Sequence, residues 1–457
     1  MRVMKFGGTS VEDPKAIERA AAIVKGRLAE QPLVVVSAMA KVTDQLLAMA
    51  RAAGTGDRDS ALKLSRACRE RHYNTAGELL GTGVFTQFHS ELESDFDSLD
   101  ELLRGITAVG ELTPRTTDHV AAYGELLSSK IVAAAFSSRG IDSCLVDSRD
   151  CIITDNTHTR AVPQFEEINE RLRTNLEPLL QAGRVPVMGG FIGATRSGVT
   201  TTIGRGGSDF SAALIGAGLG AERIEIWTDV DGMMTTDPNL CPDAHRIKVI
   251  SFDEAAELAY FGAKVLHPAT VLPAVQKNIP VYILNSRNPS CEGTRITARA
   301  PRCRNVFKAI AAKKRITIVD VTATRMLMAY GFLKNIFDAF ERHRVAVDVV
   351  STSEVSVSLT VDSNEAIPPL AADLAKLADV KYEGRKAIVC LVGESLRETP
   401  GIAARVFGVL PDINIRMISQ GASEINLTFV IEEDDVPEVV RRLHKAFFAD
   451  LDPDIFE

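Results

Sequence analysis

Three hydroxyls, Thr200, Thr201 and Thr202, lead through Ile203 into the turn Gly204-Arg205-Gly206-Gly207-Ser208-Asp209. The chain then enters Phe210–Ile215, an apolar run that reads as a helix. Backbone amides of a glycine turn at a helix N-terminus form an anion site. Arg205 adds a planar fork suited to a carboxylate or a phosphate. Such a site holds an anionic substrate beside a phosphate donor, although a glycine-rich turn also serves as a plain tight connection. Asp209 has two readings, a helix cap or a group facing phosphate. The standard phosphate motifs do not fit. No G-x-x-x-x-G-K-[ST] occurs, and Gly216–Ala221 matches G-x-G-x-x-A in letters but precedes a strand instead of following one.

Those residues sit in a chain of 457, long enough for two or three domains. It is 46% hydrophobic and 25% charged, as ordinary globular proteins are. The net charge of −8 leaves no basic footprint for nucleic acid. No apolar run reaches the length of a membrane span, and Met1–Gly8 reads as a first strand, not as a signal or transit peptide. The seven cysteines are scattered and form no C-x-x-C, which points to a cytoplasmic location; a Cys291–Cys303 disulfide is the minor alternative. The eight histidines show no ligand spacing, so no structural metal site is expected.

Strand and helix signals alternate through the first three hundred residues. Strands are expected at Met1–Phe6, Leu33–Ser37, Val185–Phe191, Arg223–Trp227 and Pro280–Leu284. Helices are expected at Ala16–Leu28, through residues 43–110, at Asp118–Ser137 and at Ser251–Gly262. This alternation implies a mostly parallel sheet sandwiched by helices. Ligands bind beyond the carboxyl ends of such strands, where the loops after Phe6, Val36, Phe191 and Trp227 lie. Past a polar, basic connection the pattern changes to strand-helix-strand-strand twice, over Ile316–Val361 and Lys386–Ile431, each a ferredoxin-like α+β unit.

Together these pieces resemble aspartate kinase, of the amino acid kinase superfamily, over nearly the whole chain. Lys5-Phe6-Gly7-Gly8-Thr9-Ser10 resembles the family's N-terminal phosphate motif. Val35–Met39 with Thr43 resembles its second loop, and Tyr123-Gly124-Glu125 its substrate-binding glutamate motif. Gly204–Asp209, Trp227–Gly232 and Phe261–Pro268 complete the set, and the tail resembles tandem ACT units. The resemblance implies an amino acid kinase domain at 1–290, a linker at 291–312, and ACT units at 313–384 and 385–457, the last segment being free to complete the first. The implied reaction is ATP plus L-aspartate giving ADP and 4-phospho-L-aspartate, with Mg²⁺, at the head of lysine, threonine and methionine synthesis.

By that resemblance Lys5 and Asp209 are catalytic. Ser37, Thr43, Glu125, Arg205, Gly206, Gly207 and Ser208 hold aspartate, with Arg205 on the α-carboxylate and Glu125 on the ammonium. Lys5, Phe6, Gly7, Gly8, Thr228, Asp229 and Lys264 hold ATP. An allosteric amino acid is implied at Met326, Phe332, Leu333, Val347, Asp348, Thr352, Ser353 and Glu354, lysine first, with threonine or loss of regulation as the other readings. A homodimer or dimer of dimers is implied too, since ACT sheets leave edges that pair. Two departures stand out: Met234 and Asn239 occupy positions where many relatives carry tyrosine and arginine near the nucleotide. The alternatives are another amino acid kinase, which the Glu125 and Arg205 pairing disfavours, or an ACT amino acid sensor, which Lys5, Asp209 and Lys264 disfavour.

Overall fold

The computed structural model describes residues 1–262, 268–323 and 330–457. Lys264 and Met326 lie outside the described residues. The chain divides into two compact units, Met1–Met233 with Val265–Ala300, and Met234–Lys264 with Pro301–Glu457.

The first unit is built on the strand Arg2–Phe6. It pairs in parallel with Pro32–Val36 on one side and Arg223–Thr228 on the other, with Phe6 opposite Val36 and Trp227. The sheet runs Ser143–Val146, Val185–Gly189, Pro32–Val36, Arg2–Phe6, Arg223–Thr228, Val281–Asn285, Thr294–Thr297. All these pairs are parallel except the last. Leu33, Val34, Val35 and Val36 are all buried, as expected of a strand covered on both faces. The helix Pro14–Lys25 starts as its sequence dictates: Asp13 caps Ala16 N–H at 2.7 Å, and proline takes the first turn. Residues 43–110 form three helices, Val42–Gly54, Arg58–Leu79 and Thr82–Val109. The helix Pro114–Ser138 opens with a Thr113–Thr116 capping box. A small second sheet of Ile153–Thr154, Ile192–Thr195 and Thr200–Thr202 leads into the glycine turn.

The second unit centres on an antiparallel sheet ordered Val347–Thr352, Ser356–Asp362, Ala309–Thr322, Asp379–Val392, Asn426–Glu432, Met417–Gln420. Within residues 291–312, read as a linker, Thr294–Thr297 joins the first unit's sheet and Ala309 already begins a strand. Residues 309–313 pair with 388–392, so the segment completing the second ferredoxin-like half precedes the first half in the chain. The equivalent strands Val347–Thr352 and Met417–Gln420 lie at opposite edges, the mark of the internal repeat. Helices Phe332–Arg342 and Val436–Phe447 carry one apolar face each, burying Ile336, Ala339 and Phe340, and Val439, Val440 and Leu443.

Candidate active site

A cavity of about 390 Å³ opens beyond the carboxyl ends of the parallel strands. Lys5, Gly8, Ser37, Thr43, Glu125 and the turn from Gly204 to Asp209 line it. Segments more than a hundred residues apart in sequence meet there because each follows or flanks a central strand.

Lys5, next to last in its strand, lines the cavity, with its ammonium 2.7 Å from Asp209 Oδ1. That contact lacks the alignment of a hydrogen bond, leaving the buried oxygen without another protein partner among the described residues. Asp209 does not cap its helix. Gly207–Leu219 has Gly206 at its N-cap, φ +72°, with no side-chain cap. The Gly207 N–H donates to the Gly204 carbonyl at 3.0 Å, so the first-turn amides that could meet a ligand are those of Ser208 and Asp209. A side chain at Gly7 would place its Cβ 3.6 Å from Lys5 Nζ, so the glycine keeps space open beside the ammonium.

Glu125 is fully buried on the helix Pro114–Ser138. Its Oε1 accepts the Ala38 N–H at 3.1 Å, while Oε2 has no protein partner among the described residues. Burial pushes this carboxyl up to about 8, against the opposing pull of the Ala38 N–H and the Lys5 ammonium. A buried carboxylate with one bare oxygen facing a polar cavity is matched to a ligand cation. Arg205 provides the opposite charge from the same lining.

Thr228 and Asp229 close the strand Arg223–Thr228 at this end of the sheet, but they do not line the cavity. Thr228 Oγ1 donates to Asp229 Oδ1 at 3.2 Å, and the Thr228 carbonyl accepts the Ser286 N–H. Phe6 is buried and stacked on Trp227, and the Gly7 N–H donates to the Trp227 carbonyl at 2.9 Å. Four lining residues, Ala40, Lys41, Asp44 and Phe191, escape motif reading. Lys41 (φ +68°) and Phe191 (φ +64°) are non-glycine residues in the left-handed region, and Asp44 opens the helix Val42–Gly54. Nothing in their residue types marks them; the turn following Ser37-Ala38-Met39 is the available signal.

In the second unit, Asp348 is already paired. Lys313 Nζ lies 3.0 and 2.9 Å from its two oxygens, and the Tyr260 hydroxyl donates at 3.0 Å. Phe332 and Leu333 open a helix, and Val347 shares the edge strand with Asp348. Thr352, Ser353 and Glu354 are exposed at its far end, roughly 13 Å from Asp348 at the rise of an extended chain. Asn239 donates through its backbone N–H and its Nδ2 to Asp237 Oδ1, at 2.9 Å each, and Met234 is half-buried. All seven cysteines are free thiols.

Comparison with known proteins decides the family. The amino acid kinase family model matches residues 1–285 and an ACT domain model matches 389–447. Lysine-sensitive aspartokinase 3 of Escherichia coli is 38% identical over 462 residues, covering 98% of this chain and 99% of that protein. The chain belongs to the aspartokinase family. The crystal structure of E. coli aspartokinase III in complex with aspartate and ADP matches with a TM-score of 0.85 at 37% identity, covering 98% of this chain and 100% of that one. The same protein in complex with lysine and aspartate also matches at 0.85, with 37% identity and coverages of 98% and 99%. The fold is the amino acid kinase fold followed by ACT units, and the activity is aspartate kinase: phosphoryl transfer from ATP to the side-chain carboxylate of L-aspartate.

Proposed function

We propose that the cavity between Lys5, Glu125 and the Gly204–Asp209 turn is where this aspartokinase phosphorylates L-aspartate. The observation that carries the assignment is the bare, buried Oε2 of Glu125 in a lining that also holds Arg205 and Lys5. A zwitterion needs one group of each sign, and Glu125 and Arg205 supply them for ammonium and α-carboxylate. Ser37, Thr43, Gly206, Gly207 and Ser208 complete the substrate pocket. The acceptor carboxylate is already ionised, so no general base is required. Catalysis rests on positioning and on neutralising charge on the transferring group. Lys5 performs the second task, and Asp209 orients its ammonium.

ATP lies along Phe6, Gly7, Gly8, Thr228, Asp229 and Lys264 in this reading. Mg²⁺ arrives on the nucleotide in this reading, because Mg²⁺ takes few protein ligands beside phosphate. Asp209, ion-paired to Lys5 through Oδ1, is the residue that would hold it, and the ion would supply charge neutralisation at the phosphate oxygens.

Lysine is the proposed effector, at Asp348 with Phe332, Leu333, Val347, Thr352, Ser353, Glu354 and Met326. The E. coli relative is lysine-sensitive by name and has been crystallised with lysine. The strand Val347–Thr352 is a sheet edge. Antiparallel pairing of two such edges sets Asp348 of one copy beside residues 352–354 of the other, which makes the homodimer, or a dimer of dimers, part of the effector site. Residues 1–290 are assigned to catalysis and 313–384 and 385–457 to the ACT units. Among the described residues no helix is long and apolar enough to cross a membrane, and a cytoplasmic location is the reading that the free cysteines support.

Hydroxylamine trapping of the acyl phosphate tests the assignment. Wild type with ATP, Mg²⁺ and L-aspartate should yield aspartyl hydroxamate, while Lys5→Ala should lose at least about a hundredfold in kcat. Equal turnover by the variant would remove Lys5 from the mechanism.

A further inference from the structure

Asp118 lies seven residues before Glu125 on the helix Pro114–Ser138, two turns away and on the same face. It is 1% exposed and outside the cavity lining. Its carboxylate gathers three donors. The Thr159 N–H lies 3.0 Å from both oxygens, His158 Nδ1 is 2.7 Å from Oδ2, and Thr202 Oγ1 is 2.5 Å from Oδ1. A carboxylate has no proton to give, so Nδ1 of His158 is the donor.

Each donor leads toward Arg205. Thr202 ends the strand Thr200–Thr202 and is followed by Ile203-Gly204-Arg205. Its carbonyl accepts the Ala161 N–H at 3.0 Å, which ties the strand to the 158–161 loop. Thr159 holds φ +69°, an unfavourable region for a β-branched residue. Its amide is fixed by Asp118, and its carbonyl backs the glycine turn, where a Cβ on Gly204 would sit 3.4 Å away. One buried carboxylate thus joins the helix bearing Glu125, the strand entering the Arg205 turn and the strained loop behind that turn.

We propose that Asp118 is a positioning residue that fixes the spacing of Arg205 and Glu125. It thereby sets the affinity for the α-amino acid end of L-aspartate and the rejection of L-glutamate. The inference rests on the assignment of those two residues to substrate. With the α-groups held at a fixed spacing, Lys5 meets the carboxylate of one side-chain length; a loosened clamp lets the longer side chain reach it.

Steady-state kinetics of Asp118→Asn test this. The amide is isosteric but cannot accept all three donors. The expected result is a KM for L-aspartate raised about tenfold or more, a KM for ATP and a saturating kcat changed less than about threefold, and a reduced aspartate-to-glutamate ratio of kcat/KM. Thr202→Val, which deletes one donor, should move the same parameters in the same direction by less, and Thr202→Ser should restore them. If Asp118→Asn does not fold, the Thr202 pair decides alone. A lowered Tm with both KM values and the substrate ratio unchanged, or an equal loss against both substrates, would overturn the proposal. Wild type inert toward aspartate would instead remove the functional assignment beneath it.

Discussion

Glu125 carries the most testable chemistry of any single residue. Burial pushes its carboxyl up to about 8, and the substrate ammonium proposed to bind there requires the ionised form. In the free enzyme below pH 8 the group is mostly protonated, so binding aspartate must release a proton. The kcat/KM for aspartate should therefore rise about tenfold per pH unit toward 8 and level off above it. Glu125→Gln should flatten that slope and raise the KM for aspartate at least ~30-fold, the cost of removing one member of a buried charge pair. Stability runs the other way. The folded pKa lies above the unfolded value, so Glu125's contribution is complete below about pH 4.5 and is lost as pH rises through about 8. Thermal melts of ligand-free protein from pH 5 to 9 should show that decline in wild type and less of it in Glu125→Gln. A pH-independent difference between the two would mean that Glu125 is ionised in the free enzyme.

At the scale of elements, the site depends on how closely the sheet approaches the helix Gly207–Leu219. A Cβ on Gly190 would fall 2.6 Å from Ser208 Cβ and 2.7 Å from Ser208 Cα, both on buried, rigid chain. Gly190→Ala must therefore push the first turn of that helix, with Ser208 and Asp209, away from Lys5. The expected loss is about a hundredfold in kcat/KM, with only ~1–3 kcal/mol of stability from overpacking, read by kinetics beside denaturant melts. Unchanged kinetics would show that the turn relaxes without moving Asp209. Such close approaches explain what could and could not be read in advance. The parallel sheet was legible because Leu33–Val36 is an unbroken apolar run and the short β-rich segments Met1–Phe6 and Arg223–Trp227 alternate with helix signals. Lys5, Glu125 and Arg205 were legible because their types sit in distinctive motifs. The sheet of Ile153–Thr154, Ile192–Thr195 and Thr200–Thr202 was not, because strands of two to four residues carry no periodicity. Lys41 and Phe191 were missed because their place in the cavity comes from left-handed backbone at non-glycine positions, which composition does not announce.

Across the whole molecule the chain alternates between its two units, passing into the second at Met234, back at Val265 and out again at Pro301. Residues 234–262 thus stand in sequence between Thr228 and Lys264, the two proposed nucleotide contacts, yet they pack in the second unit. Their helix Phe252–Tyr260 is tied there by a buried Glu254–Lys308 ion pair of 2.8 Å, by Glu257 accepting from Ser423 and Asn426, and by Tyr260 donating to Asp348. Asp348 is therefore a junction as well as a candidate ligand. Burial pulls on the Lys313 ammonium, but its bonds to Asp348 and Asp362 win and raise its pKa. An effector ammonium arriving at Asp348 must share or displace Lys313. Asp348→Asn should abolish lysine inhibition while leaving the KM for aspartate and ATP within about twofold, because Asp348 is not part of the cavity lining. Lys313→Met should act oppositely. It removes the internal competitor, so the lysine concentration for half inhibition should fall several-fold, while the ligand-free protein melts lower because a carboxylate that is 5% exposed loses its cationic partner and keeps only the Tyr260 hydroxyl. Added lysine should restore that melting temperature more in Lys313→Met than in wild type. Equal lysine sensitivity in wild type and both variants would place the effector away from Asp348.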